Sequence, residues 1–328
     1  MSTIPGKIVR FYTPGAPDVL KMEDMELGPP KAGEVQVEHK AIGLNFIEVY
    51  WRTGVYPQPL PCCPGSEGAG IVRAVGEGVT DLKVGDRVAY GSGPVGSYAT
   101  VRNMPAHPLV KIPDSIDFET AAAMMLKGFT AQYLLRRVYK AQAGETILFH
   151  AAAGGVGSIV TQWAKSLGVR VIGTVSTREK AELARANGCA EVIITSEENI
   201  VDRVKELTDG KGVPVVYDSV GKATFLDSLN CLKPRGMMVS FGNASGKVDP
   251  VPLQWLAERG SLVLTRPTVA SFTVDKAEML ESAAEMFGVV ASGAVKIQIN
   301  QRFALADVVK AHTELENRRT TGCTVLIP

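Results

Sequence analysis

Residues 144–168 read GETILFHAAAGGVGSIVTQWAKSLG, and three local signals follow one another within them. Thr146-Ile147-Leu148-Phe149 is a short apolar run, β-branched at its start, the pattern of a buried parallel strand. After His150 come five small residues, Ala151 to Gly155. Apolar residues then recur at helical spacing: Val156, Ile159, Val160, Trp163 and Leu167. Gly168 stands where a helix end favours a left-handed residue. The unit is strand, glycine-rich turn, helix. Counted from Ala152, the turn reads A-x-G-x-x-G, with Ala152, Gly154 and Gly157 in the fingerprint places and Gly155 and Val156 between them. Small residues there permit a tight turn, let a pyrophosphate approach backbone N–H groups, and let helix pack closely on strand. The helix N-terminus adds partial positive charge toward the phosphates. Glycine also marks ordinary loops, but here a strand precedes the turn, a helix follows it, and a second apolar strand, Val169 to Val175, comes next.

Downstream the alternation continues. The pattern predicts a strand over 169–175, a helix near 177–187, a strand over 191–194 and a helix near 197–208. A strand over 213–218, a helix near 222–232 and strands over 236–241 and 261–266 complete it. Strands spaced by helices imply a doubly wound parallel sheet, and right-handed crossovers give the nucleotide-binding order 3-2-1-4-5-6. Upstream, residues 1–125 are β-rich, with short apolar segments separated by turn clusters such as Thr13-Pro14-Gly15. That half suits a barrel-like or GroES-like β domain. Residues 118–140 read as helical with Gly128 interrupting. Beyond about 268 a helix (275–291), a strand (295–300) and a helix (305–318) return to the first domain. The expected fold is therefore α/β: a GroES-like catalytic domain over 1–125 and 268–328, and a Rossmann nucleotide-binding domain over 126–267.

Composition narrows the function classes. The 328 residues carry 35 Lys plus Arg against 34 Asp plus Glu, a net charge of +1, so no global field recruits nucleic acid. No apolar run is long enough to span a bilayer, and the first residues lack a secretory apolar core. The expected location is the cytoplasm. Cys62, Cys63, Cys189, Cys231 and Cys323 form no C-x-x-C pair, which excludes a zinc-ribbon spacing and reads as reduced bystander thiols. His39, His107, His150 and His312 are dispersed, and His150, at the end of the first Rossmann strand, reads as a satisfied structural histidine.

Gly144-Glu145, Leu148, Ala152-Ala153-Gly154-Gly155, Gly157, Gln162 and Lys165, at these spacings, resemble the signature of the quinone oxidoreductase (ζ-crystallin) branch of the medium-chain dehydrogenase/reductase superfamily. The resemblance covers essentially the whole chain and is nearest to bacterial quinone reductases. It implies a cleft in which Asn45 and Tyr50 lie beside the nicotinamide, with Arg52, Tyr56, Ser66 and Lys127 as weaker candidates for the substrate pocket. Thr130 and the loop Phe241-Gly242-Asn243 are implied cofactor contacts, and so are Gly173, Thr195, where relatives carry tyrosine, and Ser219. Zinc alcohol dehydrogenases of the superfamily place a cysteine ligand where this chain has Asn45 and a histidine ligand where it has Ser66. Catalytic zinc needs three converging protein ligands, so no metal is expected. Relatives also pair as homodimers through the strand matching Ser261 to Arg266.

An NAD site normally shows Asp or Glu about 20 residues past the glycine loop, bonding the ribose 2′-hydroxyl. Here Val175 and Ser176 occupy that point, and Arg178 and Lys180 follow. A carboxylate would repel a 2′-phosphate, whereas hydroxyls and cations accept one. The expected cofactor is NADPH, and the resemblance adds Lys180 and Arg318 as its phosphate ligands. A quinone becomes an aromatic hydroquinone on reduction, so it tolerates a site without a clear acid or metal. The implied activity is NADPH-dependent quinone reduction without zinc. A 2-alkenal or enone reductase is the alternative within enzymes. A non-catalytic RNA-binding or structural role, seen among relatives, is the alternative outside them.

Overall fold

Thr146–Phe149 does form an inner strand of a six-stranded sheet in the computed structural model, which describes residues 3–328. The chain divides into two compact units. One holds the residues up to Phe129 with Phe272–Ala291 and Ile297–Pro328; the other holds Thr130–Ser271 with Ser292–Lys296.

In the first unit β1 (Ile4–Arg10) and β2 (Lys21–Leu27) form an antiparallel hairpin. The long strand β3 (Glu34–Leu44) pairs antiparallel with β4 (Glu67–Val75) on one side; β5 (Arg87–Tyr90) and β7 (Val110–Lys111) extend that side, and β6 (Val101–Pro105) also joins β3. Val35 and Val37, two residues apart, point to one face of β3 and pack with Val72, Val88, Tyr90 and Met104. Helix α1 (Phe46–Arg52) links β3 to β4, and α2 (Phe118–Tyr133) follows the sheet. Gly128 does not interrupt α2. A Cβ at that position would lie 1.9 Å from Met286 Sδ, so glycine is there to let a second helix pack close. A π-helical turn, Leu134–Val138, ends this stretch.

The second unit alternates as its sequence periods require. It contains β8 (Thr146–Phe149), α3 (Gly155–Ser166), β9 (Arg170–Val175), α4 (Arg178–Ala186), β10 (Glu191–Ile194) and α5 (Ile200–Leu207). Then come β11 (Val213–Asp218), α6 (Phe225–Asn230), β12 (Leu232–Ser240), α7 (Gln254–Glu258) and β13 (Val263–Thr265). The sheet order is β10-β9-β8-β11-β12-β13, parallel throughout, which is 3-2-1-4-5-6 counted from β8. Leu148, Ile172, Ile193, Val216 and Met238, one from each of the first five strands, meet Phe225 and Leu229 of α6 in one core. Burying side chains of this size contributes roughly 1.5–3 kcal/mol each. Such a core accounts for the apolar, non-alternating strands.

The chain then returns to the first unit through α8 (Lys276–Ala291), β14 (Ile299–Ala304), α9 (Val308–Glu316) and β15 (Cys323–Ile327). Two differences from the sequence reading lie here. The strand expected over 295–300 forms four residues later, at Ile299–Ala304, because its register is set by parallel pairing with β15. β15 itself was not foreseen; it inserts between β14 and β3 in a seven-stranded sheet.

Candidate active site

In the second unit the turn between β8 and α3 is shaped by close backbone approach. Ala151 takes a left-handed φ of 55°, and Gly154 caps α3 from an extended conformation. A Cβ at Gly157 would lie 2.5 Å from the Ala151 carbonyl oxygen and 2.7 Å from Ala152 Cα, so only glycine fits. A Cβ at Gly154 would meet only the Ala151 oxygen, at 3.2 Å, so the outer side of the turn is open. Gly173 of β9 passes behind the loop, where a Cβ would come 2.7 Å from both Ala152 Cβ and Cys189 Sγ. The first turn of α3, beginning at Gly155 and Val156, supplies unpaired N–H groups at the positive end of a 12-residue helix. Geometry and chemistry fit a dinucleotide pyrophosphate.

Below the loop the strand ends are tied together. His150 Nδ1 faces Thr174 Oγ1 at 2.9 Å and Nε2 faces Ser228 Oγ at 3.0 Å; Ser228 donates to Asp218 Oδ2 over 2.8 Å. Burial holds the His150 imidazole below its usual range, so it is a neutral structural histidine. Asp218, at the end of β11, also accepts the N–H groups of Val220 (2.8 Å) and Gly221 (3.0 Å). Its carbonyl accepts Phe241 N–H over 2.8 Å. Thus one buried residue ties two loops, one through its carboxylate and the other through its backbone carbonyl, and Gly242 packs so tightly on Ser219 that a Cβ would sit 2.3 Å from the Ser219 oxygen. Phe241 leans on Phe149, with ring centroids 5.8 Å apart, and Asn243 is half-buried beside it.

At the end of β9, Ser176 and Thr177 enter α4, and Thr177 Oγ1 caps Lys180 N–H over 3.4 Å. Thr195 Oγ1 donates to the Val175 carbonyl over 3.2 Å, which places it beside this strand end. Arg178 forks onto Glu197 over 2.8 and 2.9 Å, in the open. The acid-free strand end, with Lys180 in the first turn of α4, suits a 2′-phosphate.

In the first unit Asn45 ends β3 and caps α1. Glu48, three residues on, reaches back to the Asn45 N–H over 2.5 Å. Ser66 donates to Glu48 Oε1 through Oγ over 2.6 Å and through its N–H over 3.1 Å. Tyr98 donates to Glu48 Oε2 over 2.9 Å, and its oxygen lies 3.0 Å from His312 Nε2. Burial pushes the Glu48 carboxyl up to about 7, against the hydrogen bonds from Ser66 and the Asn45 N–H. Glu67 accepts the Asn45 amide over 2.9 Å and the Leu126 N–H over 2.7 Å, and pairs with the Lys127 ammonium. Tyr50 lies edge-on to Phe46 and Tyr56, at 5.4 and 5.1 Å between ring centroids, and is half-buried.

The structure thus gathers Asn45, Ser66 and Lys127 around two glutamates that the sequence reading passed over. The Asn-x-x-Glu spacing of a capping box marked Glu48, and Glu67 follows Ser66 directly. Arg52 does not line a pocket as expected. It is fully buried, donates to the Gly15 carbonyl over 2.8 Å and pairs with Glu316, so its charge is spent anchoring α1 to α9. Thr130 is buried in α2, and Arg318 is exposed just past α9 with a left-handed φ of 58°.

Zinc does not fit these residues. Among the described residues no three His, Cys, Asp or Glu side chains are placed to hold a metal. Asn45 and Ser66 donate to the glutamates, and an ammonium sits with them.

Residues 31–114 match the family described as Alcohol dehydrogenase GroES-like domain, and residues 155–288 match the one described as Zinc-binding dehydrogenase. The chain is 56% identical to the quinone oxidoreductase of Pseudomonas aeruginosa, over 98% of this chain and 99% of that one. It is 43% identical to the 2-haloacrylate reductase of a Burkholderia species, over 97% and 98% of the two chains. The crystal structure of Escherichia coli quinone oxidoreductase complexed with NADPH matches with a TM-score of 0.97 at 47% identity, covering 98% of this chain and all of that one. Asn45 and Ser66 lie in the GroES-like stretch, outside the residues matched as zinc-binding, and the fold agrees with that crystal structure over nearly all of both chains. The chain belongs to the quinone oxidoreductase family of the medium-chain dehydrogenase/reductase superfamily.

Proposed function

We propose that this chain reduces small quinones at the expense of NADPH, without zinc. It is an NADPH-dependent oxidoreductase. The observation carrying the zinc-free part is the set Asn45, Ser66, Glu67 and Lys127, hydrogen-bonded and charge-paired where a catalytic metal would need open donors. NADPH, when bound, supplies the hydride. The turn Ala152–Gly157 and the α3 N-terminus would hold its pyrophosphate; Ser176, Lys180 and Arg318 would select its 2′-phosphate. Ser219, Phe241, Gly242 and Asn243 would bound the nicotinamide, with Gly173 and Thr195 along the adenosine half and Thr130 beside the ring. Asn45 and Tyr50 orient the acceptor, and Tyr56 adds apolar surface; their work is positioning and exclusion of water.

A second reading, reduction of an activated C=C bond, is favoured by one observation: the 2-haloacrylate reductase relative at 43% identity. Such an acceptor needs a proton at carbon, which a quinone does not. The protein is further proposed to act in the cytoplasm, as a homodimer joined through β13. None of the described helices is long and apolar enough to cross a membrane.

The test is an acceptor screen with NADPH, comparing benzoquinones, naphthoquinones, enones and haloacrylates on protein assayed for zinc by elemental analysis. Turnover of quinones by zinc-free protein, unaffected by chelators, supports the proposal. Turnover of enones alone, or activity lost with a stoichiometric zinc, sinks it.

A further inference from the structure

Glu67 is completely buried and Lys127 nearly so. Their contact is one part of a closed arrangement. Glu67 Oε1 takes the Lys127 ammonium and the Asn45 amide (2.9 Å), and Oε2 takes the Leu126 N–H (2.7 Å). Room for this carboxylate exists because residue 43 is glycine: a Cβ there would lie 2.2 Å from Glu67 Oε1 and 2.4 Å from its Cδ. A buried carboxylate is unfavourable unless a cation or several donors compensate it. Burial is the largest single influence on Lys127 and works against its charge, but the attraction of Glu67, with smaller help from Cys323 and Glu48, holds the ammonium above its ordinary range.

We propose that Lys127 is the resident cation of this site: its ammonium holds on Glu67 the charge position a divalent metal would take, and bars such an ion. The proposal rests on the zinc-free reading above and adds to it. Loss of cysteine and histidine ligands at positions 45 and 66 removes affinity for a metal. The ammonium adds active repulsion, because two cations within a few ångströms interact strongly where little water screens them. It also satisfies Glu67, one of the two buried carboxylates of this cluster. By holding Glu67 in place, Lys127 fixes the Asn45 amide, which makes it a positioning residue for the acceptor site.

The test begins with elemental analysis of the wild type; stoichiometric zinc there would sink the zinc-free reading itself. Cobalt(II) is then titrated into Asn45→Cys/Ser66→His, which supplies both missing ligands, and into the same protein carrying Lys127→Met. The visible absorption of a cobalt–thiolate centre is the readout. One cobalt per chain is expected in the triple variant, bound on the order of 100-fold more tightly than in the double variant. Equal affinity in the two would overturn the role of Lys127 while leaving the zinc-free reading intact.

Should the triple variant fail to fold, thermal unfolding of Lys127→Met decides. A buried carboxylate stripped of its cation is strongly unfavourable, so the melting temperature should fall well below that of the wild type. Adding Glu67→Gln should restore most of it. A Lys127→Met protein as stable as wild type at every pH would show that the ammonium compensates nothing.

Discussion

Ser66 Oγ lies 2.6 Å from Glu48 Oε1 and donates into a carboxyl group that has no exposure to solvent. Burial raises that group to about 7, above the value of about 4.3 in an unfolded chain. A raised folded value contributes stability that is complete below the unfolded value and is lost as pH rises to the folded one. His39 and His312, pushed down by burial to about 4 and about 3, act in the opposite sense. Their contribution is present above about 6.5 and is lost as pH falls. Glu48→Gln should therefore remove the downward slope between about pH 4.5 and 7, a term of ~4 kcal/mol at most. The histidine slope, stability rising with pH, should then stand alone. Denaturant unfolding across that range is the measurement, and an unchanged profile would refute the buried-acid reading of Glu48.

Lys180→Glu is expected to raise the KM for NADPH on the order of 10–100-fold, the worth of a charged hydrogen bond, and to change that for NADH little. Steady-state kinetics with both cofactors check it. Wild-type protein equally efficient with the two would defeat the assignment of the β9 end to a 2′-phosphate.

Tyr50→Phe keeps the ring that packs on Phe46 and Tyr56 and removes only the hydroxyl. A positioned general acid is worth ~10²–10⁴-fold. If Tyr50 merely orients the acceptor, turnover of benzoquinone should fall by less than about tenfold. A thousandfold-scale loss, with NADPH still bound, would make Tyr50 a proton donor and favour the C=C substrate.

Gly157→Ala would place a Cβ 2.5 Å from the Ala151 carbonyl oxygen, backbone that has little room to yield. Overpacking of this kind costs about 1–3 kcal/mol. Both stability and NADPH affinity should drop, because the displaced atoms are the cradle itself. Calorimetry and fluorescence titration that find neither change would contradict the proposed pyrophosphate site.

β13 closes one end of the six-stranded sheet, and Val263 on it is 46% exposed. Unpaired sheet edges tend to be covered. Light scattering should give a dimer mass, and Val263→Lys should shift it toward monomer. A monomer at all working concentrations would remove the proposed interface.

The nucleotide-binding unit was legible because its signals are local. Strand, glycine turn and helix are complete within residues 144–168, and each later strand carries its own apolar run, so order and handedness follow from general rules. His150 was read as structural and is, with both ring nitrogens facing hydroxyls. The first unit offered less. β2, KMEDMEL, carries four charges in seven residues and buries no side chain fully, and β15 is five residues, four of them buried, with no period of their own. Both exist because a distant partner strand supplies the hydrogen bonds. The polar cluster needed the tertiary structure entirely. Glu67 meets Asn45 across 22 positions and Lys127 across 60. The family resemblance named Asn45, Ser66 and Lys127; only folding around Gly43 brought them to two buried carboxylates and turned Arg52 away to Glu316. Charges taken out of water must find partners, and which partners are in reach is decided by packing rather than by spacing along the chain.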